Sequence, residues 1–381
     1  MNILFVNHTG VVSGAERSLL ALMTGLARTD DIVLLAPAGP LHHEAHAAGI
    51  ATATLPVTSF GDRGVLGFGR LGWSALRAAA VICATVRSQK PDIVHANSTR
   101  AGLLCAIANI ACRRPLVVHV RDTLLSPAFR AVAPRTLGRA ANVLIFVSRF
   151  TAASFDVRKA SAESVVIYNP VPLSESGAAV TSGNQRLREP SAPAILSHIA
   201  QIAPWKGQEV SIRALALLRR RDLDVQLWIA GEVKDTDRGS AVINRAYYRS
   251  LKDLVHELDL ADSVVFLGEV KDVPELLAQS DLLLLPSTEE PFGRVVVEAM
   301  AAGCPVIATA VGGPSEVITH GVDGWLLLPA DVELWAEQIR GILADPGALR
   351  RVSCVARERV AGRFTVEAHV RRVREHYAAL L

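Results

Sequence analysis

The hydrophobic residues of the chain fall into short runs rich in Val, Ile and Leu, separated by longer segments with a helical period. Runs this apolar are typical of strands buried on both faces, and intervening helices indicate parallel βαβ connections. The fold class predicted is therefore α/β. Strands are predicted at residues 2–7, 31–36, 51–55, 92–96, 116–120, 143–148, 164–168, 194–199, 225–230, 263–267, 281–286, 305–308 and 324–327.

A stretch rich in Ser, Gly, Pro and Ala, without a hydrophobic period, divides these strands into two series. We therefore expect two doubly wound, Rossmann-like domains at 1–180 and 194–364, facing a central cleft and joined by a linker at 181–193. Residues 365–381 are predicted to form a helix that packs back toward the first domain. Because ligands of such sheets bind at the carboxyl ends of the strands, the candidate functional residues are those that follow a strand.

Two glutamates follow the predicted strand 281–286. Glu290 lies in the loop after the strand, and Glu298 lies about one turn into the next helix, which is predicted at 294–302 and ends at Gly303. Carboxylates accept hydrogen bonds from sugar hydroxyls, and the backbone N–H groups of Phe292 and Gly293 lie near a helix N-terminus that favours anions. The spacing alone favours a solvated loop glutamate followed by a glutamate on a helix surface.

The residues around these glutamates form a longer motif. It reads Glu290-Pro-Phe-Gly-Arg-Val-Val-Val-Glu298, then Gly312-Gly-Pro-Ser-Glu, then Gly321-Val-Asp-Gly-Trp-Leu. This run closely resembles the signature of the family 4 (group 1) retaining glycosyltransferases, which have the GT-B fold. Further similarity covers nearly the whole chain, at Ser13-Gly-Ala-Glu16, Pro91-Asp-Ile-Val-His95, Val118-His119, Val147-Ser148, Asn169-Pro-Val171 and Trp205-Lys-Gly207.

The resemblance implies that the second domain binds a nucleotide-sugar donor. Glu298 would then hold the ribose hydroxyls, while Glu290 would contact the transferred sugar and act as a catalytic residue. Glu269 and Val270 follow the predicted strand 263–267, where the family contacts the base. The residues expected to bind the donor are Glu298, Phe292, Gly293, Gln201, Glu269 and Val270.

Lys206 follows the predicted strand 194–199 and precedes a helical segment. A lysine there would bind a diphosphate, because its charge adds to the helix dipole, although a surface lysine is often simply solvated. The family commonly has Gly-Arg where this chain has Ala200 and Gln201. Losing that charged contact would cost about 1.5–3 kcal/mol of transition-state stabilisation. Lys206 is expected to compensate as a catalytic residue, or another cation such as Arg294 to substitute.

The acceptor is expected in the first domain, by the same resemblance. His119 ends the predicted strand 116–120, and the resemblance places it near the reacting carbon as a catalytic residue. A histidine packed in the core is the alternative. The loop formed by Gly14, Ala15 and Glu16 follows the first strand and is expected to line the cleft near the donor and the acceptor.

Charge is distributed unevenly along the chain. Residues 1–190 contain 19 Lys and Arg against 11 Asp and Glu, a net charge of +8, and residues 191–381 have a net charge of −5. The predicted helix 70–89 carries Trp73 and several arginines, and is either a crossover helix packed on the sheet or an element that contacts an anionic membrane bearing a lipid-linked acceptor. The uneven charge also fits ordinary variation between two domains. No nucleic-acid partner is expected.

No cofactor or metal is expected, because GT-B enzymes generally need none. The pair Asp235 and Asp237 matches an Asp-x-Asp metal motif, but charged neighbours indicate a solvated loop. The five cysteines are scattered without a Cys-x-x-Cys pair, which indicates neither a disulfide framework nor a zinc site. No export signal or long uncharged apolar run is evident, so we expect a cytoplasmic protein, at the inner face of the cell membrane where it contacts lipid.

The function predicted is transfer of a hexose-type sugar from a nucleoside-diphosphate sugar to a hydroxyl of a glycan or lipid-linked acceptor, with retention, in cell-surface polysaccharide or glycolipid synthesis. One alternative is a weakly catalytic partner subunit that binds a nucleotide sugar. A GT-B sugar-nucleotide epimerase is a second alternative. A dinucleotide oxidoreductase is disfavoured, because no Gly-x-Gly-x-x-Gly follows the first strand.

Overall fold

A computed structural model describes residues 1–58, 65–124, 127–155, 161–171, 192–234 and 238–381. The chain divides into two compact units. The first unit comprises Met1–Pro172 with Phe364–Leu381, and the second comprises Leu173–Arg363. Most of the linker predicted at 181–193, and the Asp235-x-Asp237 motif, lie outside the described residues.

The first unit is built on one parallel sheet. Its strands are β1 (Asn2–Val6), β2 (Asp31–Ala36), β3 (Ala51–Thr54), β4 (Ile93–Ala96), β5 (Leu116–Val120), β6 (Val143–Phe146) and β7 (Glu163–Val166). They lie side by side in the order β3-β2-β1-β4-β5-β6-β7. The helices are α1 (Gly14–Leu26), α2 (Pro40–Ala47), α3 (Val65–Gln89), α4 (Thr99–Cys112), α5 (Pro127–Ala140), α6 (Arg149–Ser154) and a C-terminal helix (Val366–Ala378).

Both faces of this sheet are covered, which explains the apolar runs in the sequence. Leu4 and Val6 of β1 pack with α3, α4 and α5. The alternate residues Ile3 and Phe5 pack on the opposite face with α1, α2 and the C-terminal helix. The last helix of the chain therefore completes the core of the first unit, although it lies far from the rest of that unit in the sequence.

The second unit repeats this architecture. Its strands are β8 (Ala194–Ile199), β9 (Val225–Ala230), β10 (Val264–Gly268), β11 (Leu282–Leu285), β12 (Val306–Thr309) and β13 (Trp325–Leu327). All are parallel and lie in the order β10-β9-β8-β11-β12-β13. The helices are α7 (Gln208–Arg219), α8 (Arg238–Glu257), α9 (Val273–Ala278), α10 (Arg294–Ala302), α11 (Pro314–Val317), α12 (Val332–Leu343) and α13 (Pro346–Arg363).

The predicted α/β class with two Rossmann-like domains is confirmed. Each predicted strand is present, and its ends differ from the predicted ones by at most two residues. Two of these differences share a cause at the strand start. Asp92 and Asp281 lie just before β4 and β11, and their carboxylates accept the backbone N–H groups of Asn2 and Ile195 at 2.8 and 2.7 Å.

In both sheets the strand order reverses beside the first strand, between β1 and β4 and between β8 and β11. The crevice outside the carboxyl ends at such a switch point is the usual ligand site of doubly wound sheets. Lys206 follows β8 and Glu290 follows β11, so the topology brings the two loops to one place.

Candidate functional site

The loop after β8 is held against the end of β11. Its residues Pro204–Lys206 form a single 3₁₀ turn that ends at Gly207. Gly207 has a φ of +75°, and a Cβ there would lie 2.4 Å from the carbonyl oxygen of Pro286. The backbone N–H of Thr288 donates to the carbonyl of Trp205 at 2.9 Å. Only glycine allows this approach, which directs the preceding lysine toward the neighbouring loop.

Lys206 and Glu290 meet at the centre of this site. The lysine Nζ lies 2.6 Å from Oε2 of the glutamate, and their side chains are only 12% and 9% exposed. The same Nζ lies 4.0 Å from the ring centroid of Trp205, a cation–π contact. Because water is largely excluded, the two charges interact more strongly than a surface pair would.

The carboxylate of Glu290 is held on both oxygens. Oε1 accepts the backbone N–H of Gly293 at 3.1 Å, and Oε2 also accepts the Ser287 hydroxyl at 3.4 Å. Phe292 is 3% exposed. The N–H of Gly293, predicted to face the transferred sugar, therefore donates to Glu290 in this structure and orients its carboxylate.

The two halves of the Glu290–Gly313 motif are in direct backbone contact. The N–H of Gly313 donates to the carbonyl of Glu290 at 2.8 Å, and a Cβ on Gly313 would lie 2.2 Å from the Cα of Phe292. The second glycine of Gly312-Gly313 is thus required by close packing of two loops rather than by its backbone angles.

We expect Gly313→Ala to destabilise the protein by about 2–3 kcal/mol, because the added methyl overlaps backbone atoms that have nowhere to move. Denaturant unfolding of the purified variant would measure this loss. Gly341→Ala is a matched control, since a Cβ at this position in α12 meets no atom within 4 Å. It should raise stability by about 0.5–1 kcal/mol. Equal stabilities for the two variants would contradict the packing account.

Glu298 lies in α10 and pairs with Arg294 across one turn. The arginine Nε lies 2.6 Å from Oε1 of the glutamate, and the side chains are 14% and 18% exposed. A simple solvated glutamate would be far more exposed. Arg294 is the first residue of α10, so it brings a positive charge to the N-terminus of the helix that follows Glu290.

The other predicted donor residues lie on neighbouring loops of the second unit. The carbonyl of Gln201 accepts a hydrogen bond from Nε2 of Gln208 at 2.9 Å, which ties the loop to the start of α7. Gln201 is half-buried. Glu269 is exposed and Val270 half-buried, directly after β10.

A buried histidine beside Lys206 was not anticipated. His198 lies in β8 with 0% exposure, and its Nδ1 lies 2.9 Å from the Ser211 hydroxyl. Burial, with a contribution from the Lys206 charge, lowers the pKa of His198 to about 3. The ring is therefore neutral at physiological pH and adds no second positive charge beside Lys206.

In the first unit, the loop after β1 is organised by its own glutamate. Gly14 is exposed and Ala15 half-buried, but Glu16 is only 3% exposed. Its carboxylate accepts the backbone N–H of Ser13 at 3.1 Å and Nδ2 of Asn7 at 3.2 Å. Its carboxylate therefore caps α1, and the expectation that the loop Gly14–Glu16 lines a ligand site stays a prediction.

His119 is buried in the first unit. It lies in β5 with 0% exposure, its ring stacked on that of His369 with centroids 5.9 Å apart. Burial, followed by the charge of Arg121, lowers the pKa of His119 well below its usual value. The ring is packed in the core of the first unit, as the alternative of a core histidine implied, and its catalytic role stays a prediction.

Asparagines at the strand ends form a network with Arg121 that the sequence analysis missed. The guanidinium donates to Oδ1 of Asn97 at 2.7 Å and to Oδ1 of Asn169 at 2.5 Å. Nδ2 of Asn97 in turn donates to Oδ1 of Asn7 at 3.1 Å. The signal in the sequence was an Asn or Arg directly after β1, β4 and β5.

Two Rossmann-like units, each built on a parallel sheet in this strand order, are the architecture of the GT-B fold. Residues 182–359 match the family model described as glycosyl transferases group 1, and residues 13–170 match that of the glycosyl transferase 4-like domain. The chain belongs to the group 1 glycosyltransferases and is a transferase.

Curated relatives match the chain over different lengths. The N-acetyl-alpha-D-glucosaminyl L-malate synthase of Bacillus anthracis is 36% identical over 45% of this chain and 42% of that enzyme. The alpha-1,3/1,6-mannosyltransferase ALG2 of Homo sapiens is 28% identical over 100% of this chain and 96% of that enzyme. The chain thus spans less than half the length of the first of these relatives and nearly all of the second.

Solved structures share the whole fold. Anabaena HepE in complex with UDP and glucose is 28% identical to this chain, with a TM-score of 0.81, and the match covers 100% of both chains. The sucrose-phosphate synthase of Thermosynechococcus elongatus has a TM-score of 0.79 over 100% of this chain and 99% of that chain at 18% identity, and supports the fold alone. Within the described residues, none of the helices has both the length and the apolar character needed to cross a membrane.

Proposed function

We propose that this protein transfers a hexosyl group from a nucleoside-diphosphate sugar to a hydroxyl of a glycan or lipid-linked acceptor. The bond formed would be an α-glycoside, and the product would enter cell-surface polysaccharide or glycolipid. The observation that carries the proposal is the 2.6 Å contact between Lys206 and Glu290 at the switch point of the second sheet. The UDP and UDP-glucose complexes of HepE, which is similar over its whole length, support a nucleotide-sugar donor.

The proposed roles follow from the charges at this site. A diphosphate carries more negative charge than one carboxylate, so it would draw the Lys206 ammonium away from Glu290. Glu290 would then accept a hydrogen bond from a hydroxyl of the transferred sugar. Glu298 would accept the ribose hydroxyls while its partner Arg294 holds it in position.

Retention is proposed without a protein nucleophile. A double displacement needs a carboxylate that attacks the anomeric carbon. Instead, the acceptor oxygen would bond to the anomeric carbon on the face from which the diphosphate departs. The bond to the diphosphate oxygen breaks, and the hydroxyl proton passes to that oxygen. Lys206 would stabilise the leaving charge, and no metal is proposed.

The proposal is tested by a panel of nucleotide sugars followed by product analysis. A ligand that binds the native state raises the melting temperature by mass action, so one donor should stand out. With that donor and a suitable acceptor, we expect free nucleoside diphosphate and a glycoside whose anomeric proton shows an α-linkage by NMR. A β-linked product from an α-linked donor would disprove retention, and absence of any stabilising nucleotide sugar would oppose the donor assignment.

Gln201 favours a second candidate, a weakly catalytic partner subunit that binds a nucleotide sugar. Its amide brings no charge to a position where the resemblance implies an arginine. Stabilisation by a donor without transfer to any acceptor in the panel would support this candidate. The same experiment therefore separates the two.

We further propose that the first unit contacts an anionic membrane through one face. Helices α3, α4 and α5 cover the same face of its sheet and contain seven arginines and no acidic residue. Exposed apolar side chains accompany this charge, including Trp73 at 74%, Leu76 at 59% and Ile110 at 78% exposure. Arginines near an anionic surface contribute about 1 kcal/mol each, and tryptophan favours the lipid–water interface.

Trp73→Ser should reduce binding to anionic vesicles severalfold, because the indole would no longer insert at the interface. Co-sedimentation with phosphatidylglycerol vesicles, compared with phosphatidylcholine vesicles, would measure this effect. Val242→Ser is the matched control, since Val242 is 70% exposed but belongs to the second unit. Wild-type protein that fails to bind anionic vesicles at low salt would overturn the membrane proposal.

A further inference from the structure

Two cysteines far apart in the sequence are in contact in the first unit. Sγ of Cys112, at the end of α4, donates a hydrogen bond to Sγ of Cys83 in α3 at 2.9 Å. Both side chains are half-buried, so small solutes can reach them. Neither the scattered cysteines nor their spacing in the sequence indicated this pair.

The fold holds these sulfurs together through helix packing. Ala78 and Ile82 of α3 and Leu104 and Cys105 of α4 are buried in one hydrophobic cluster beneath the pair. Packing on the sheet holds both helices in place and keeps the two sulfurs close. They need to approach by only about 0.9 Å to reach the length of a disulfide bond. Cysteine is not required here for packing alone, because a small apolar residue would fill the same space.

We propose that Cys83 and Cys112 form a reversible oxidation site that closes to an intramolecular disulfide between α3 and α4. The oxidant is a small-molecule disulfide. The thiolate of Cys83 attacks it, forms a mixed disulfide and releases one small thiolate. The thiolate of Cys112 then attacks the Cys83 sulfur and displaces the second small thiolate. The cysteine pair loses two electrons, the small disulfide gains them, and the two cysteine protons end on the two released thiols.

The order of these steps follows from the hydrogen bond. Cys112 donates its hydrogen bond to the sulfur of Cys83, so the Cys83 sulfur already has beside it the group that attacks it in the second step. Burial, with the contact to Cys83, raises the pKa of Cys112 to about 11. The closing step should therefore be faster at pH 9 than at pH 7, because more of the Cys112 thiol is deprotonated.

Oxidised glutathione and a count of free thiols test the proposal on the full-length protein. The number of free thiols titrated in the denatured chain should fall from five, the number of cysteines in the sequence, to three. Peptide mapping should recover one cross-linked pair, Cys83 with Cys112. The oxidised protein should melt about 5 °C or more above the reduced protein, because the closed loop restricts the unfolded chain.

Single variants separate this site from ordinary thiol oxidation. Cys112→Ser should trap glutathione on Cys83 as a stable mixed disulfide, and Cys83→Ser should lose the cross-link. Cys354→Ser is the matched control, since Cys354 is exposed and lies in the second unit, and it should still form the bond. Five free thiols after oxidation, or cross-links that involve Cys354 instead, would overturn the proposal whatever sugar the enzyme transfers.

Discussion

Replacement of Lys206 by alanine is expected to lower the rate of sugar transfer by about 10²–10³-fold. The proposed role of its ammonium is to stabilise the diphosphate as it leaves, and the loop offers no second cation at Gln201. Glu290 would keep the hydrogen bonds from Gly293 and Ser287, so the variant should remain folded. Initial rates at saturating donor, with circular dichroism and a melting curve, would measure both effects.

The conservative variant and a surface control sharpen this prediction. Lys206→Arg keeps the charge but not the geometry of the ammonium, and should retain an intermediate rate. Lys252→Ala removes an exposed lysine that contacts only the ring face of Tyr248 among the described contacts, and should leave the rate unchanged. A Lys206→Ala enzyme with wild-type activity would rule out the proposed diphosphate contact.

The second large effect is expected for Glu290→Gln. The amide has the shape of the carboxylate, but it loses the ion pair with Lys206 and accepts a sugar hydroxyl more weakly. A charge-assisted hydrogen bond contributes about 1.5–3 kcal/mol, so the rate should fall by about 10–150-fold. Steady-state kinetics of the variant would show the fall mainly in kcat if the contact strengthens in the transition state.

The adjacent glutamate provides the matched control. Glu289→Gln changes the same net charge one residue earlier, and the proposed mechanism gives Glu289 no role. Its transfer rate should fall clearly less than that of Glu290→Gln, because the mechanism places no sugar or diphosphate contact on the half-buried Glu289 side chain. If Glu289→Gln and Glu290→Gln lost activity equally, loop charge rather than the Glu290 carboxylate would be the cause.

Much of the fold was predictable because both sheets are parallel and covered on both faces. Such strands are continuous apolar runs, and the runs at β5 and β8 were located to the residue. The start of α10 at Arg294 and its end before Gly303 were also predicted, since glycine is a common helix C-cap. The strand ends at Asp92 and Asp281 were missed by one residue, because their side chains take over backbone contacts there.

Side-chain environment was less predictable than position. Glu16 and His119 both follow the expected motif, yet one caps α1 and the other is packed against His369. Burial of His119 depends on His369, which the C-terminal helix brings from 250 positions further along the sequence. No local pattern in the sequence indicates which distant residues will cover the end of a strand.

The sequence by itself determined the α/β class, the two-domain organisation and the membership of a glycosyltransferase family, because apolar runs and a contiguous motif are local properties. Only the tertiary structure decided which distant residues meet. Lys206 and Glu290 are 84 positions apart and come together because the strand order reverses between β8 and β11. Cys83 and Cys112 meet for the same kind of reason, since helix packing on a shared sheet sets distances that linear spacing does not contain.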